Sequence, residues 1–136
     1  MFKIVEASEA DIPVIIDIAE KTWWRTYSEI LTTDQIRYML DAIYCPDTIQ
    51  LQIHSQSQTY LLLSEEGNAK GFASFGARPD DAGVYKIHKL YVLPHNQKKG
   101  YGAALIQDIM KRVQIKNTRA VDLNVNRFNS ARHFYE

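Results

Sequence analysis

Apolar residues near the start of the chain fall at helical spacing. Ile12, Ile15, Ile16, Ala19 and Trp23 occupy positions i, i+3, i+4, i+7 and i+11 of one face. Ser8 and Asp11 precede this face as candidate caps, and Pro13 belongs in the first turn, where its missing N–H costs nothing. A short strand, Phe2–Glu6, comes before it. A second helix follows Thr32 or Thr33, with Ile36, Met39, Leu40 and Ile43 on one face, and Pro46 forces a break. The next segment, Thr48–His54, contains I-Q-L-Q-I, which alternates as a half-buried strand would.

From Thr59 the period changes. Thr59–Ser64 and Gly71–Gly76 read as strands joined by the hairpin turn E-E-G-N-A-K. Ala77–Gly83 reads as a polar loop, and Val84–Leu93 as the third strand of an antiparallel meander, stopped by Pro94. A helix from about Gly100 to Lys116 and a strand, Ala120–Val125, complete a strand–helix–strand crossover, which makes the flanking strands a parallel pair. No repeat, linker or low-complexity tract interrupts the pattern, so 1–136 reads as a single α/β domain.

Composition narrows the function classes. With 46% hydrophobic and 24% charged residues in a chain of 136, one core is affordable and two are not. Sixteen basic residues balance sixteen acidic ones, so no global field favours nucleic acid or an anionic membrane. Only the local cluster Lys86, Lys89, Lys98 and Lys99 points to an anionic ligand. Cys45 is the single cysteine, which excludes an intrachain disulfide and a cysteine-rich metal site; no metal is expected. The N-terminus lacks an apolar signal segment and no apolar run is long enough to span a bilayer, so the expected location is the cytoplasm.

The candidate chemistry centres on the turn Gln97–Gly102. Backbone N–H groups at a helix start lack intrahelical partners and the helix dipole adds positive potential, so a phosphate there needs no dedicated side chain. Gly100 and Gly102 lack the Cβ atoms that would hold a ligand off the backbone, Lys98 and Lys99 add charge, and Gln97 offers an amide. An ordinary strand-to-helix turn has the same look. A dinucleotide fingerprint is a further alternative, with Gly100, Gly102 and Asp122, but Leu105 replaces its third glycine, Pro94–Lys99 separates strand from glycines, and Asp122 lies inside a strand.

The stretch L-Y-V-L-P-x-x-Q-K-K-G-Y-G-A-A-L resembles the acetyl-CoA motif of the GNAT-type N-acetyltransferase superfamily, whose core is Q/R-x-x-G-x-G/A, and N-S-A-R-H-F-Y-E follows at family spacing. The resemblance covers most of the chain. It implies a GNAT-like mixed sheet, an antiparallel meander plus one parallel pair flanked by helices, and it favours helix for Thr48–His54. It further implies that acetyl-CoA lays its pyrophosphate on the Gln97–Gly102 turn, Lys98, Lys99, Gly100 and Tyr101 included. The pantetheine arm would run along the backbone of Leu90, Tyr91 and Val92.

By the same resemblance Tyr135 protonates the departing thiolate, a role suited to a phenol of ordinary pKa about 10, and Asn129, otherwise a helix cap, contacts the coenzyme. Asn129 lies one residue closer to Tyr135 than is common in the family. Several members carry Glu where Lys86 stands; His88, two residues on, is the candidate base, with a structural histidine as the alternative. The Val92 N–H is the candidate oxyanion donor. T-W-W-R-T-Y-S-E-I-L resembles the acceptor stretch of spermidine acetyltransferase-like members, which makes Trp24 and Tyr27, with Glu29, the acceptor candidates and Trp23 a core residue.

The implied reaction is direct acetyl transfer in a ternary complex to a primary amine, of a small polyamine-like molecule or a peptide N-terminus. Cys45 has no nearby His/Asp pair in sequence to make it a nucleophile. The chain stops at Glu136, where the family continues into two further strands. That gap leads to two further expectations, a homodimer that pairs the edge of Ala120–Val125, or a coenzyme-binding remnant with little turnover.

Overall fold

Two turn chemistries and two prolines set the element boundaries. The structure, a computed structural model, describes residues 2–78, 81–93, 100–114 and 120–123. Strand β1 (Phe2–Glu6) and a 3-10 turn lead into helix α1 (Ile12–Tyr27), with Pro13 in its first turn. Helix α2 (Thr33–Ile43) opens on a capping box: Gln35 N–H donates to Thr32 Oγ1 at 3.1 Å, and Thr32 N–H donates to Gln35 Oε1 at 2.8 Å. Helix α3 (Pro46–Ser55) starts on Pro46. The I-Q-L-Q-I segment is therefore helical. Ile49 is buried and Ile53, four residues on, packs against the same core, while Leu51 faces solvent at 68% exposure, the reverse of what a strand's alternation would give.

Strands β2 (Thr59–Glu65) and β3 (Asn68–Arg78) join through Glu66 and Gly67, both at positive φ (55° and 81°), the backbone a tight hairpin requires. Strand β4 (Asp81–Val92) follows, then helix α4 (Tyr101–Gln114) and strand β5 (Ala120–Leu123). The expected polar loop over Ala77–Gly83 is mostly ladder instead. Ala77 pairs with Tyr85 and Arg78 with Asp81, because backbone pairing continues past the last apolar residues of both strands.

The sheet has the order β1-β2-β3-β4-β5. Antiparallel pairing links β1 through β4, and β5 lies beside β4 in parallel register from Val84↔Ala120 to Ile87↔Leu123. Both faces are covered, which explains the continuous apolar run of β2. Tyr60 and Leu62 enter a cluster with Ile15, Ile18, Ile36 and Ile49 beneath α1–α3. Leu61 and Leu63 enter another with Leu105, Ile109 and Val113 of α4.

Candidate active site

The start of α4 is built on glycine. Gly100 takes φ +79°, a conformation that costs other residues about 1–2 kcal/mol, and its carbonyl accepts the Ala104 N–H at 3.1 Å. It stands just before the helix, so the next N–H groups start the helix without intrahelical acceptors, and no acidic side chain occupies the first turn. The Tyr101 side chain has a separate task. Its ring is buried edge-on against Phe2, with centroids 5.9 Å apart, and its hydroxyl donates to Glu65 at the end of β2. Tyr101 thus ties the helix start to the sheet, and Gly102 is buried in the same turn. Gln97, Lys98, Lys99, Asn129 and Tyr135 lie outside the described residues.

Strand β4 approaches this turn through a bulge. Phe75 pairs with Ile87 and Ser74 with Lys89, so His88 is an extra residue with no partner position of its own. Strict alternation would put 87, 89 and 91 on one face. The bulge instead sends Ile87, Leu90 and Val92 toward α4, and turns Lys89 and Tyr91 toward α1–α3. Beyond it, β3 and β4 come unusually close: a Cβ on Gly71 would stand 2.7 Å from the Tyr91 carbonyl oxygen and 3.2 Å from a Val92 methyl. Only glycine fits there. His88 is half-buried, and desolvation, then the neighbouring Lys89 and Lys86 charges, lower its pKa below the usual 6.5.

The face under α1–α3 holds an aromatic box. Tyr27 is 4% exposed and tilts against Trp23 at 4.6 Å between centroids; burial, then Tyr91, pushes its phenol up to about 12. Trp24 is half-buried against the same core, and Glu29 is exposed at the helix end. Tyr44 packs edge-on to Trp23, Phe72 and Tyr91 at 6.3–6.5 Å. The Trp23 indole N–H lies beside the Tyr44 and Tyr91 hydroxyls, near enough to bias their titration, yet meets no acceptor in hydrogen-bond geometry.

Inside this box lies Lys89. Its ammonium donates to the Tyr60 hydroxyl at 2.8 Å and to Gln58 Oε1 at 3.1 Å, and stands 5.2 Å and 5.8 Å from the Tyr60 and Tyr44 ring centroids. Tyr60 in turn donates to Gln52 Oε1 at 2.7 Å, and Ser74 Oγ donates to Gln58 Oε1 at 2.8 Å. Burial lowers the Lys89 pKa from 10.5 to about 8. Sequence reasoning grouped Lys89 with the cations near the turn and missed Tyr44, Tyr60 and Gln58 altogether. A one-residue bulge leaves no mark in periodicity, and it decides which face Lys89 occupies. Among the described residues no cluster of three or more His, Cys, Asp or Glu side chains could hold a metal, and no helix is long and apolar enough to cross a membrane.

Against known proteins, a sequence model of the acetyltransferase (GNAT) family matches residues 17–136. The chain is 29% identical over 108 residues to the uncharacterized N-acetyltransferase YuaI of Bacillus subtilis (strain 168), a match covering 78% of this chain and 61% of that protein. In three dimensions it resembles the PaiA N-acetyltransferase of Thermoplasma acidophilum, solved in complex with coenzyme A, with TM-score 0.87, 21% identity, and coverage of 99% and 86% of the two chains. A predicted acetyltransferase of Clostridium acetobutylicum, solved with acetyl-CoA, gives TM-score 0.73 at 12% identity, covering 99% and 88%.

Proposed function

The chain belongs to the acetyltransferase (GNAT) family, and on that premise we propose that it moves an acetyl group from acetyl-CoA to a primary amine by direct transfer in a ternary complex. The observations that carry this reading are the bulge of β4 at His88 and the glycine at positive φ that opens α4 at Gly100. The helix start offers backbone donors to a pyrophosphate, and the reading gives Gln97, Lys98, Lys99 and Gly102 to the same ligand. The pantetheine arm lies along Leu90–Val92, the Val92 N–H faces the developing oxyanion, and Tyr135 returns a proton to the thiolate while Asn129 contacts the coenzyme.

The half-buried His88 takes the proton of the acceptor ammonium, directly or through water. Its lowered pKa keeps it neutral and able to accept at pH 7. Trp24 and Tyr27 stand on the acceptor side, Tyr27 from within the core. The solved relatives that carry coenzyme A or acetyl-CoA support the choice of cosubstrate. The dinucleotide alternative loses its ground with family membership.

Titration calorimetry tests the reading. Acetyl-CoA and desulfo-CoA are expected to bind and NAD is not; preference for NAD would overturn it. Tyr135→Phe should lower turnover with little change in acetyl-CoA affinity. Unchanged turnover would assign the proton to another group.

A further inference from the structure

We propose that Lys89 is a positioning residue for coenzyme binding: its ammonium is compatible with the bulged register of β4 alone, and so fixes which backbone groups of Leu90–Val92 the pantetheine arm meets. The coenzyme part of this inference rests on the transfer reading above; the choice of register does not.

The ladder sets residues in rows across the sheet. Tyr60, Ser74 and Lys89 form one row on the face under α1–α3, and Leu61, Ala73 and Leu90 form the next on the face under α4. The first row is polar and satisfied. Gln58 Oε1 accepts from Lys89 Nζ at 3.1 Å and from Ser74 Oγ at 2.8 Å, and the Tyr60 hydroxyl accepts from Lys89 at 2.8 Å. Were the ladder to run in regular step from the Phe75–Ile87 pair, Ser74 would oppose His88, Ala73 would oppose Lys89 and Gly71 would oppose Tyr91. That register puts the ammonium in the row of Leu61 and Ala73, both fully buried in the cluster with Leu105 and Ile109, whose side chains offer no acceptor. It also takes Tyr91 away from the rings of Tyr44 and Phe72. Leu90 and Val92 are apolar and suit either face, so Lys89 carries the largest penalty against the slip.

This accounts for a buried ammonium whose acceptors are both neutral. Lys89 is 9% exposed, and among the described residues no carboxylate pairs with it, so its charge lowers stability. What it secures is register. A one-residue slip moves every later side chain to the other face and exchanges the N–H and C=O groups that pair with β3 for those that point away from it. The backbone surface that β4 offers a ligand therefore depends on one side chain that touches no part of that ligand.

Cross-strand NOEs in the 15N- and 13C-labelled protein read the register, and calorimetry with acetyl-CoA reads its consequence. The wild type should show Ser74 against Lys89, Ala73 against Leu90 and Phe72 against Tyr91. Lys89→Met, with Lys89→Leu as a second apolar variant, should add a second set of signals in which Ser74 meets His88, Ala73 meets position 89 and Phe72 meets Leu90. Acetyl-CoA affinity should fall about threefold or more, the result of a bulged form reduced to about a third of the population, although urea unfolding at pH 7 shows no loss of stability. Lys89→Arg keeps the charge and should keep a single register. One register in both apolar variants overturns the proposal, and so does a second register in Lys89→Arg. A second register with wild-type affinity overturns the positioning role. A wild type that binds no acetyl-CoA would instead refute the transfer reading, with the NOEs still deciding what Lys89 does to β4.

Discussion

Lys89→Met should stabilise the protein at neutral pH, and the size of the effect follows from where the ammonium lies. Lowering the pKa from 10.5 to about 8 means that the folded state binds the proton less tightly than the unfolded chain, by roughly 3 kcal/mol at about 1.4 kcal/mol per tenfold. Because the folded value is the lower one, the unfolded state carries more protons between the two, and stability rises with pH through that window. Integrated between pH 7 and 9.5, the gain is about 2 kcal/mol. Above pH 10 the phenols reverse the trend. Tyr27, Tyr44, Tyr60 and Tyr91 all titrate higher in the fold than in the unfolded chain, so the stability they contribute is lost as pH rises past the ordinary tyrosine value.

Methionine keeps the apolar stem of Lys89 but forfeits the bonds to Tyr60 and Gln58, a loss of about 1–2 kcal/mol. The desolvation cost is the larger quantity, so a net gain of about 1–2 kcal/mol is expected at pH 7, fading by pH 9.5. Urea unfolding followed by circular dichroism at pH 7, 8, 9 and 9.5 measures it on both proteins. A wild-type profile that is flat over this range, or a Lys89→Met profile with the same slope, would refute the account of Lys89 as a buried, uncompensated cation.

Three further substitutions probe the strand and the turn. Gly71→Ala places a methyl against the Tyr91 carbonyl and Val92; it should cost about 1–3 kcal/mol in urea unfolding and weaken acetyl-CoA binding by displacing the end of β4, and wild-type affinity would show that this segment does not hold the coenzyme. At Gly100 an added Cβ meets nothing within 4 Å, so Gly100→Ala should cost only the backbone term of about 1–2 kcal/mol while lowering acetyl-CoA affinity in calorimetry; unchanged stability would contradict the positive φ. His88 has a pKa below 6.5, so the acidic limb of the kcat/KM profile should lie below that pH and move in His88→Ala. An unmoved limb would remove it as the base.

Helices α1 and α2 were legible because burial follows a 3.6-residue period that Ile12, Ile15, Ala19 and Trp23 display, and the Thr32/Gln35 box marks one start. The Thr48–His54 segment was ambiguous for a physical reason. Ile49, Leu51 and Ile53 alternate, but only the pair spaced by four is inward, and Pro46 pre-sets the first helical turn. The Gly100 turn could be read from residue types, since φ +79° demands glycine. What could not be read is the bulge at His88. A single unpaired residue in β4 reverses the facing of Lys89 and Tyr91 without altering composition or turn signals, and with it the box of Tyr44, Tyr60 and Gln58, which meet only in the folded sheet.

The central claim, acetyl transfer to a primary amine, is tested most directly by incubating the chain with acetyl-CoA and a panel of small amines, measuring free-thiol release together with the mass of each amine. The account predicts thiol release that depends on the amine and a matching acetylated product, with no acetyl group retained on the protein as an intermediate. Coenzyme binding without amine-dependent thiol release, or release that proceeds through an acetylated protein, would contradict it.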